Sequence, residues 1–459
     1  MTASTLRTTL VRLAGAVGML LVAAPGIAQD DTSLTTLLGD EEPARVGDYV
    51  GLSSCANGAC HGAVQPREGA TIRGDEYVTR VLDPHHRAYE ILSSRESREI
   101  AEALQPGTPA TAMSLCLDCH AINVPASKDR GLFRDEGISC EGCHGPAGGW
   151  WNRHFEDGWS HQDSLDAGLV DLRSPAARAE QCLGCHQGEP AREVDHRLIA
   201  AGHPRLVFEL DNYSSLAEIV HWLPDATRAR RNGRRASHGL RAWAVGQAVG
   251  LREGVALLAH RADPATSSER PWPEFAEYSC ESCHHVVGDG AWRRQPGYAF
   301  QGGLPPWSRA HWLVLRPLVA DVAPDRLDSL DAQVDALADL VASMSRRAEV
   351  ATTARTLAND LRPVVTALDR ARWTTERARR LIDQLVAERE RLLASDEASA
   401  RQLAFSLQSL VAHLVRTDRR LLRDPMVDAV DDLFETLDRP GFDRATFAAE
   451  LDDVAPSGE

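Results

Sequence analysis

All ten cysteines of this 459-residue chain occur in five pairs, and a histidine follows each pair directly. Two residues separate the cysteines in four of the pairs, whereas four residues separate them in the first pair. Each motif therefore brings two thiols and one imidazole within a few residues of each other. No cysteine is left over, so we expect no disulfide bond. Motifs 1 to 5 are, in chain order, Cys55/Cys60/His61, Cys116/Cys119/His120, Cys140/Cys143/His144, Cys182/Cys185/His186 and Cys280/Cys283/His284.

The spacing Cys-x-x-Cys-His is the attachment sequence of c-type haem. In such sites the two thiols bond to the haem vinyl groups and the imidazole binds the iron. Zinc sites also use Cys-x-x-Cys, but a histidine directly after the second cysteine is not their pattern. We therefore predict five covalently bound c-type haems, with a metal site as the alternative for the wider motif 1. The predicted proximal ligands are His61, His120, His144, His186 and His284.

The second axial ligand of each iron decides its potential and whether a substrate can reach it. Met113 is the only methionine near a motif, so most irons are predicted to have two histidine ligands. The histidines selected as second ligands are His85, His154, His203 and His196. His413 lies in a region without cysteine and is predicted to be structural. The candidates for the remaining iron are His161, His221 and His311.

Three stretches of the sequence resemble the cytochrome c-554 family. One is GISCEGCHGP at residues 137–146, which is followed by Trp151 and His154. The others are DPHHRAY before motif 2 and AAGHP after motif 4. The resemblance covers about residues 50–290 and implies close haem pairs that carry electrons from the oxidation of nitrogen compounds. It also implies His85, His154 and His203 as distal ligands, while motif 5 and a long C-terminal extension depart from the family's four-haem pattern.

Residues 1–28 have the pattern of an export signal, in which Arg7 and Arg12 precede an apolar stretch and small residues end at Ala28. The apolar stretch is too short to span a bilayer, although an uncleaved anchor is the alternative. No later stretch reaches the ~18 apolar residues of a membrane helix. The mature protein is therefore predicted to be periplasmic or otherwise exported, and not an integral membrane protein. The net charge of −16 disfavours a nucleic-acid partner, which would need a basic surface.

The rest of the chain divides into three predicted segments: an acidic linker at 29–48, a loop-rich pentahaem cytochrome domain at 49–320 and an α-helical bundle at 321–459. In the last segment apolar residues recur at helical spacing, as at Leu330, Val334 and Leu337. The predicted fold class is mainly α. The bundle is either a scaffold that covers the haem domain or a docking module, which includes formation of a homo-oligomer.

These features predict a multihaem c-type cytochrome that transfers electrons between redox partner proteins and has no catalytic residue. The alternative is a multihaem oxidoreductase with one open haem that acts on a small nitrogen or sulfur compound. Motif 1 is the first candidate for an open site, and no Cys-x-x-Cys-Lys sequence is present. A third option is a subunit of a membrane-bound redox complex, in which the C-terminal helices dock.

Overall fold

The computed structural model describes residues 48–65, 74–124, 130–190, 192–216, 234–266, 271–284, 304–389, 391, 396–439 and 441–454. The predicted export signal, most of the predicted linker and His221 lie outside these residues. Within them the chain forms helices and, apart from two isolated bridges, no β-structure, which confirms the mainly α fold. None of the described helices is both long enough and apolar enough to cross a membrane.

The described residues form two compact units. The N-terminal unit contains residues 48–206 and 214–216, and the C-terminal unit contains residues 207–213 and 234–454. The helical segments of the N-terminal unit are short and turns join them. Four are 3-10 helices, at Arg80–Leu82, Pro84–Arg87, Glu90–Ser93 and Ala110–Ala112. The α-helices are α1 Leu52–Cys55, α2 Glu76–Thr79, α3 Arg95–Leu104, α4 Ser114–His120, α5 Arg130–Asp135, α6 Cys140–His144, α7 His161–Asp166, α8 Pro175–His186 and α9 His196–Ala200.

Polar caps fix where several of these helices begin. The side chains of Ser94 and Ser174 accept backbone N–H groups at the start of α3 and α8, and Asp195 does so at the start of α9. Pro175 occupies the first position of α8, where its missing N–H costs no hydrogen bond. At the other end of a helix, Gly145 terminates α6 with a φ of 80°, a conformation that favours glycine.

The apolar core of the N-terminal unit is small. Its main cluster is built around Leu92 from a 3-10 helix, Ile100 from α3 and Leu117 from α4, each no more than 3 % exposed. Met113 lies in the same cluster, just before motif 2. A second cluster joins Ile122, Val124 and Phe133. Both clusters are local, so much of the unit is organised by polar contacts around the cysteine motifs.

Long helices make up the C-terminal unit. Helix α11 packs most extensively against α14, and α16 packs against α11, α12, α15 and α17. The helices are α10 Leu210–Leu216, of which residues 210–213 belong to this unit, α11 Arg234–Ala262, α12 Ala310–Val322, α13 Pro324–Ala342, α14 Arg347–Arg370, α15 Thr375–Ala387, α16 Glu397–Thr417, α17 Pro425–Leu437 and α18 Arg444–Asp453.

Helix α16 lies at the centre of this unit. Asp396 caps its first turn by accepting the N–H of Ser399 at 2.9 Å. Leucines at positions 403, 407, 410 and 414 follow the helical repeat, and each is at most 1 % exposed. Other faces of the helix are also buried, so α16 contacts neighbours on all sides. Its buried polar residues are hydrogen-bonded, for example Ser409 to Glu209 at 2.8 Å.

The contacts divide the chain near residue 206, whereas the sequence analysis places a domain boundary at residue 320. Motif 5 and helices α11 and α12 consequently belong to the same unit as the C-terminal helices. The reason is tertiary: α11 packs along α14, and α12 packs along both α11 and α16. Helical periodicity predicts each of these helices but does not predict its neighbours.

A truncation in α16 tests the centre of the bundle. Leu407→Ala removes a side chain that is 0 % exposed and should lower the free energy of unfolding by about 2–5 kcal/mol. Urea unfolding followed by far-ultraviolet circular dichroism measures this loss. The matched control is Leu304→Ala, at a residue 39 % exposed in the same unit, which should cost less than about 1 kcal/mol. Equal losses in the two variants would contradict the central position of α16.

Candidate haem-binding sites

Three of the motifs form the last turn of an α-helix. Motif 2 ends α4, motif 3 makes up α6, and motif 4 ends α8. Residues three and four positions apart share one face of a helix, so both cysteines and the histidine of each motif project to one side. In motif 1 only the first cysteine is helical, and a turn follows in which Cys60 N–H donates to Asn57 O at 2.8 Å. All ten cysteines are free thiols.

Cysteines of different motifs contact each other in two places. A hydrogen bond between the Cys55 and Cys140 thiols joins motif 1 to motif 3 and lowers the pKa of Cys140 to about 7. A hydrogen bond between the Cys119 and Cys185 thiols joins motif 2 to motif 4 and lowers the pKa of Cys185 to about 6. The four attachment motifs of the N-terminal unit therefore form two adjacent pairs.

Two charged side chains hold these motif pairs together, and the sequence analysis identified neither. Glu141, inside motif 3, is buried and accepts the N–H groups of Gly51 and Ala147, each at 2.8 Å. Arg192 contacts the Asp118 carbonyl of motif 2 at 3.4 Å and the Cys185 sulfur of motif 4 at 3.5 Å. A carboxylate between two cysteines was the only signal in the sequence for Glu141, and Arg192 gave none.

Two pairs of imidazole rings have a spacing that fits one metal between them. The ring centroids of His61 and His154 are 6.2 Å apart and the ring planes differ by 12°. The centroids of His85 and His186 are 5.9 Å apart, with planes at 84°. A first-row metal binds an imidazole nitrogen at about 2 Å, so rings on opposite sides of one metal have centroids roughly 6 Å apart. Each pair combines a motif histidine with a histidine selected as a second ligand.

Hydrogen bonds at Nδ1 orient four of the predicted ligands. The Nδ1 of His61 lies 3.1 Å from Glu76 Oε2, and that of His85 lies 2.8 Å from Asp83 Oδ1. For His120 and His203 the partners are backbone carbonyls, Ala88 O and Pro204 O, each at 2.7 Å. An oxygen acceptor places the proton on Nδ1 and leaves the lone pair on Nε2, which is the arrangement of metal-binding histidines.

Burial keeps three of these imidazoles neutral at pH 7. It lowers the pKa of His186 to about 3 and those of His120 and His203 to about 4. His203 and His85 add to the shift at His120, because positive charge on them would repel its proton. Neutral imidazole is the form that binds metals. His203 is thereby close enough to His120 to interact with it electrostatically.

The other selected histidines are less well defined by the structure. His144 ends α6, and His196 begins α9 directly after its capping residue Asp195. His161 lies 3.3 Å from Asp171, and His413 is buried in α16. These contacts do not assign any of the four to an iron. His86, which was not selected, has its Nδ1 2.6 Å from Asp83 O and so carries the same kind of contact as the predicted ligands.

Motif 5 lies in the C-terminal unit and differs in local structure. Residues Cys280–Ser282 form a 3-10 turn, and the N–H of His284 donates to Cys280 O at 2.8 Å. Both of its cysteines are exposed. The hydrogen bond from Ser279 N–H to Pro306 O, at 3.0 Å, fixes this motif beside the segment that leads into α12.

Comparison with known families gives one match. Residues 55–145 match the family described as cytochrome c554 and c-prime. This segment contains motifs 1, 2 and 3 together with His85, whereas motifs 4 and 5 lie beyond it. No curated protein and no solved structure matches the chain.

The matched segment agrees with the local structure. It includes the helical turns that present motifs 2 and 3, and the family binds haem covalently through such motifs. The mainly α architecture of the described residues is also that of a c-type cytochrome. Through residues 55–145 the chain therefore belongs to the cytochrome c-554 family and is a c-type cytochrome with covalently bound haem.

Proposed function

We propose that this chain is an exported multihaem cytochrome that passes electrons between redox partner proteins through five covalently bound haems. The observation that carries the proposal is the spacing of the His61/His154 and His85/His186 ring pairs. Each pair suits an iron with two histidine ligands, which has no position left for a substrate. Export is supported by the signal pattern of residues 1–28 and by the cytochrome family.

The residues that hold the haems follow from the motifs. Each cysteine pair anchors one haem, and the histidine after it binds the iron. When bound, each haem iron supplies one-electron chemistry by cycling between the ferric and ferrous states. We assign His154 opposite His61, His85 opposite His186, and His203 opposite His120. His196 remains our prediction for the iron at His144.

Contacts between the motifs support electron transfer within the N-terminal unit. Because the Cys55 and Cys140 thiols touch, the groups attached there must be neighbours. The same holds for the groups attached at Cys119 and Cys185. His85 adds a further link, since it faces motif 4 while its carbonyl accepts the N–H of Ile138, just before motif 3, at 3.0 Å. Motifs 1 to 4 are thus connected by direct contacts.

Second ligands can be tested by removing one imidazole. His154→Ala should convert one haem of the oxidised holoprotein from low spin to high spin, because the iron bound by His61 loses its sixth ligand. Electron paramagnetic resonance measures the change, and carbon monoxide should bind to one reduced haem per chain. Phe155→Leu is the control, since it alters the ring next to His154 and leaves the imidazole in place.

The unmodified protein provides the decisive comparison for function. Electron transfer through irons with two histidines predicts only low-spin ferric signals and no binding of carbon monoxide. A high-spin signal with ligand binding in the unmodified protein would contradict the pure carrier. Such a result would favour an oxidoreductase with one open haem, and hydroxylamine, nitrite and sulfur oxyanions would then be the substrates to assay.

Asp83 provides a test of how the protein sets a potential. Its carboxylate contacts His85 Nδ1 at 2.8 Å, which makes the imidazole a stronger donor and favours the ferric state. Asp83→Asn keeps an acceptor oxygen but removes the charge. The potential of one haem should rise by roughly 30–60 mV, where about 59 mV is a tenfold change for one electron. Spectroelectrochemical titration measures the shift.

The matched control for that variant is Glu90→Gln. Glu90 is an exposed carboxylate seven residues further along the chain and pairs with Arg87 at 2.9 Å. Neutralising it changes the net charge by the same amount but touches no predicted ligand. Its potentials should stay within the error of the titration. Equal shifts in the two variants would show a general charge effect and would contradict a specific role of Asp83.

A further inference from the structure

We propose that His311 is the second axial ligand of the iron held at motif 5, opposite His284. This inference rests on the proposed function, because it requires a haem at Cys280 and Cys283. Motif 5 lies outside the family match and outside the N-terminal unit, so its second ligand has to be found among the residues of the bundle.

The chain segment that ends at His311 lies directly beside motif 5. Ser279 N–H donates to Pro306 O at 3.0 Å, and Ser308 N–H donates to Glu277 O at 3.0 Å. Tyr278 and Trp307 form an isolated antiparallel bridge at the same place. His284 and His311 each follow five residues after the bonded pair Ser279 and Pro306. The two histidines therefore leave a shared point on short stretches of chain.

A second set of contacts brings both groups to the start of α16. Glu281, inside motif 5, accepts the N–H of Glu397 at 2.8 Å. Gln247, which contacts His311, accepts a hydrogen bond from Gln402 Nε2 at 2.9 Å. Glu397 and Gln402 are five residues apart on the helix, or about 7.5 Å along its axis. Motif 5 and the partner of His311 are thus anchored within one and a half turns of each other.

The imidazole of His311 is held in the form that binds metal. Its Nδ1 lies 3.1 Å from Gln247 Oε1, and the bond from Gln402 to the same oxygen identifies that atom as the acceptor. Nδ1 is therefore the protonated nitrogen, and the lone pair is on Nε2. The same arrangement is found at His61, His85, His120 and His203.

Gly250 on α11 fixes the position of the ring. A Cβ at this position would lie 2.7 Å from Cε1 and 2.9 Å from Nε2 of His311, so the imidazole packs directly over the helix backbone. His311 nevertheless remains only half-buried. A ring that is oriented by a hydrogen bond, packed on one face and still partly accessible is suited to receive a metal from one direction.

The test uses the holoprotein with His311→Ala. One haem should change from low spin to high spin in electron paramagnetic resonance, and one reduced haem per chain should bind carbon monoxide. Added imidazole should restore the low-spin signal, which a purely structural role of His311 would not produce. His311→Met should instead keep six ligands and raise the potential of one haem, because methionine ligation does so. His260→Ala, a histidine of α11 in the same unit, is the control and should change none of these signals.

The failure of this inference is distinguishable from the failure of the proposed function. Cys280→Ala with Cys283→Ala should lower the number of attached haems by one, as measured by the mass of the intact chain. An unchanged mass would mean that motif 5 carries no haem and would overturn both proposals. Five attached haems together with an unchanged low-spin spectrum in His311→Ala and in His311→Met would overturn the role of His311 alone. A high-spin haem at motif 5 in the unmodified protein would do the same.

Discussion

Two thiols and one imidazole on a single helical turn are the arrangement on which the N-terminal unit depends. Helices α4, α6 and α8 end at the motif histidine, so they stay short and bury little apolar surface. The core that remains is local, around Leu92 and Leu117. Contacts between motifs take over the role of a large core. Glu141 holds the first motif against the third, and Arg192 holds the second against the fourth.

The atoms behind the imidazoles give each proposed site its own electrostatic setting. Carboxylates stand behind His61 and His85, whereas backbone carbonyls stand behind His120 and His203. A carboxylate increases the donor strength of an imidazole more than a neutral carbonyl does and so favours the ferric iron. Under the proposed function, the irons served by Glu76 and Asp83 would therefore have lower potentials than the iron between His120 and His203. Differences of this kind give electron flow a direction.

The C-terminal unit is more than a bundle attached to a haem domain. It contains motif 5, and helices α11 and α16 supply Gln247, Gly250 and Gln402 around His311. The polar residues buried on α16 are consequently explained by hydrogen bonds to neighbouring elements rather than by exposure. A unit of this kind combines a stable helical framework with a further redox site. Its proposed roles as a scaffold or as a docking module for a complex or a second copy remain predictions.

The sequence by itself determined the five motifs, the mainly α class and the set of histidines from which second ligands are drawn. These are local properties, since a motif spans a few residues and a helix has a short repeat. Only the tertiary structure decided that His154 lies beside His61 and His85 beside His186, because these partners are far apart in the chain. Their role as ligands stays a prediction. It also decided that motif 5 belongs with the C-terminal helices, because periodicity predicts that α11 is a helix and is silent on its packing against α14. Hydrogen bonds such as that between His311 and Gln247 depend on where side chains meet after folding, and no pattern in the sequence carries that information.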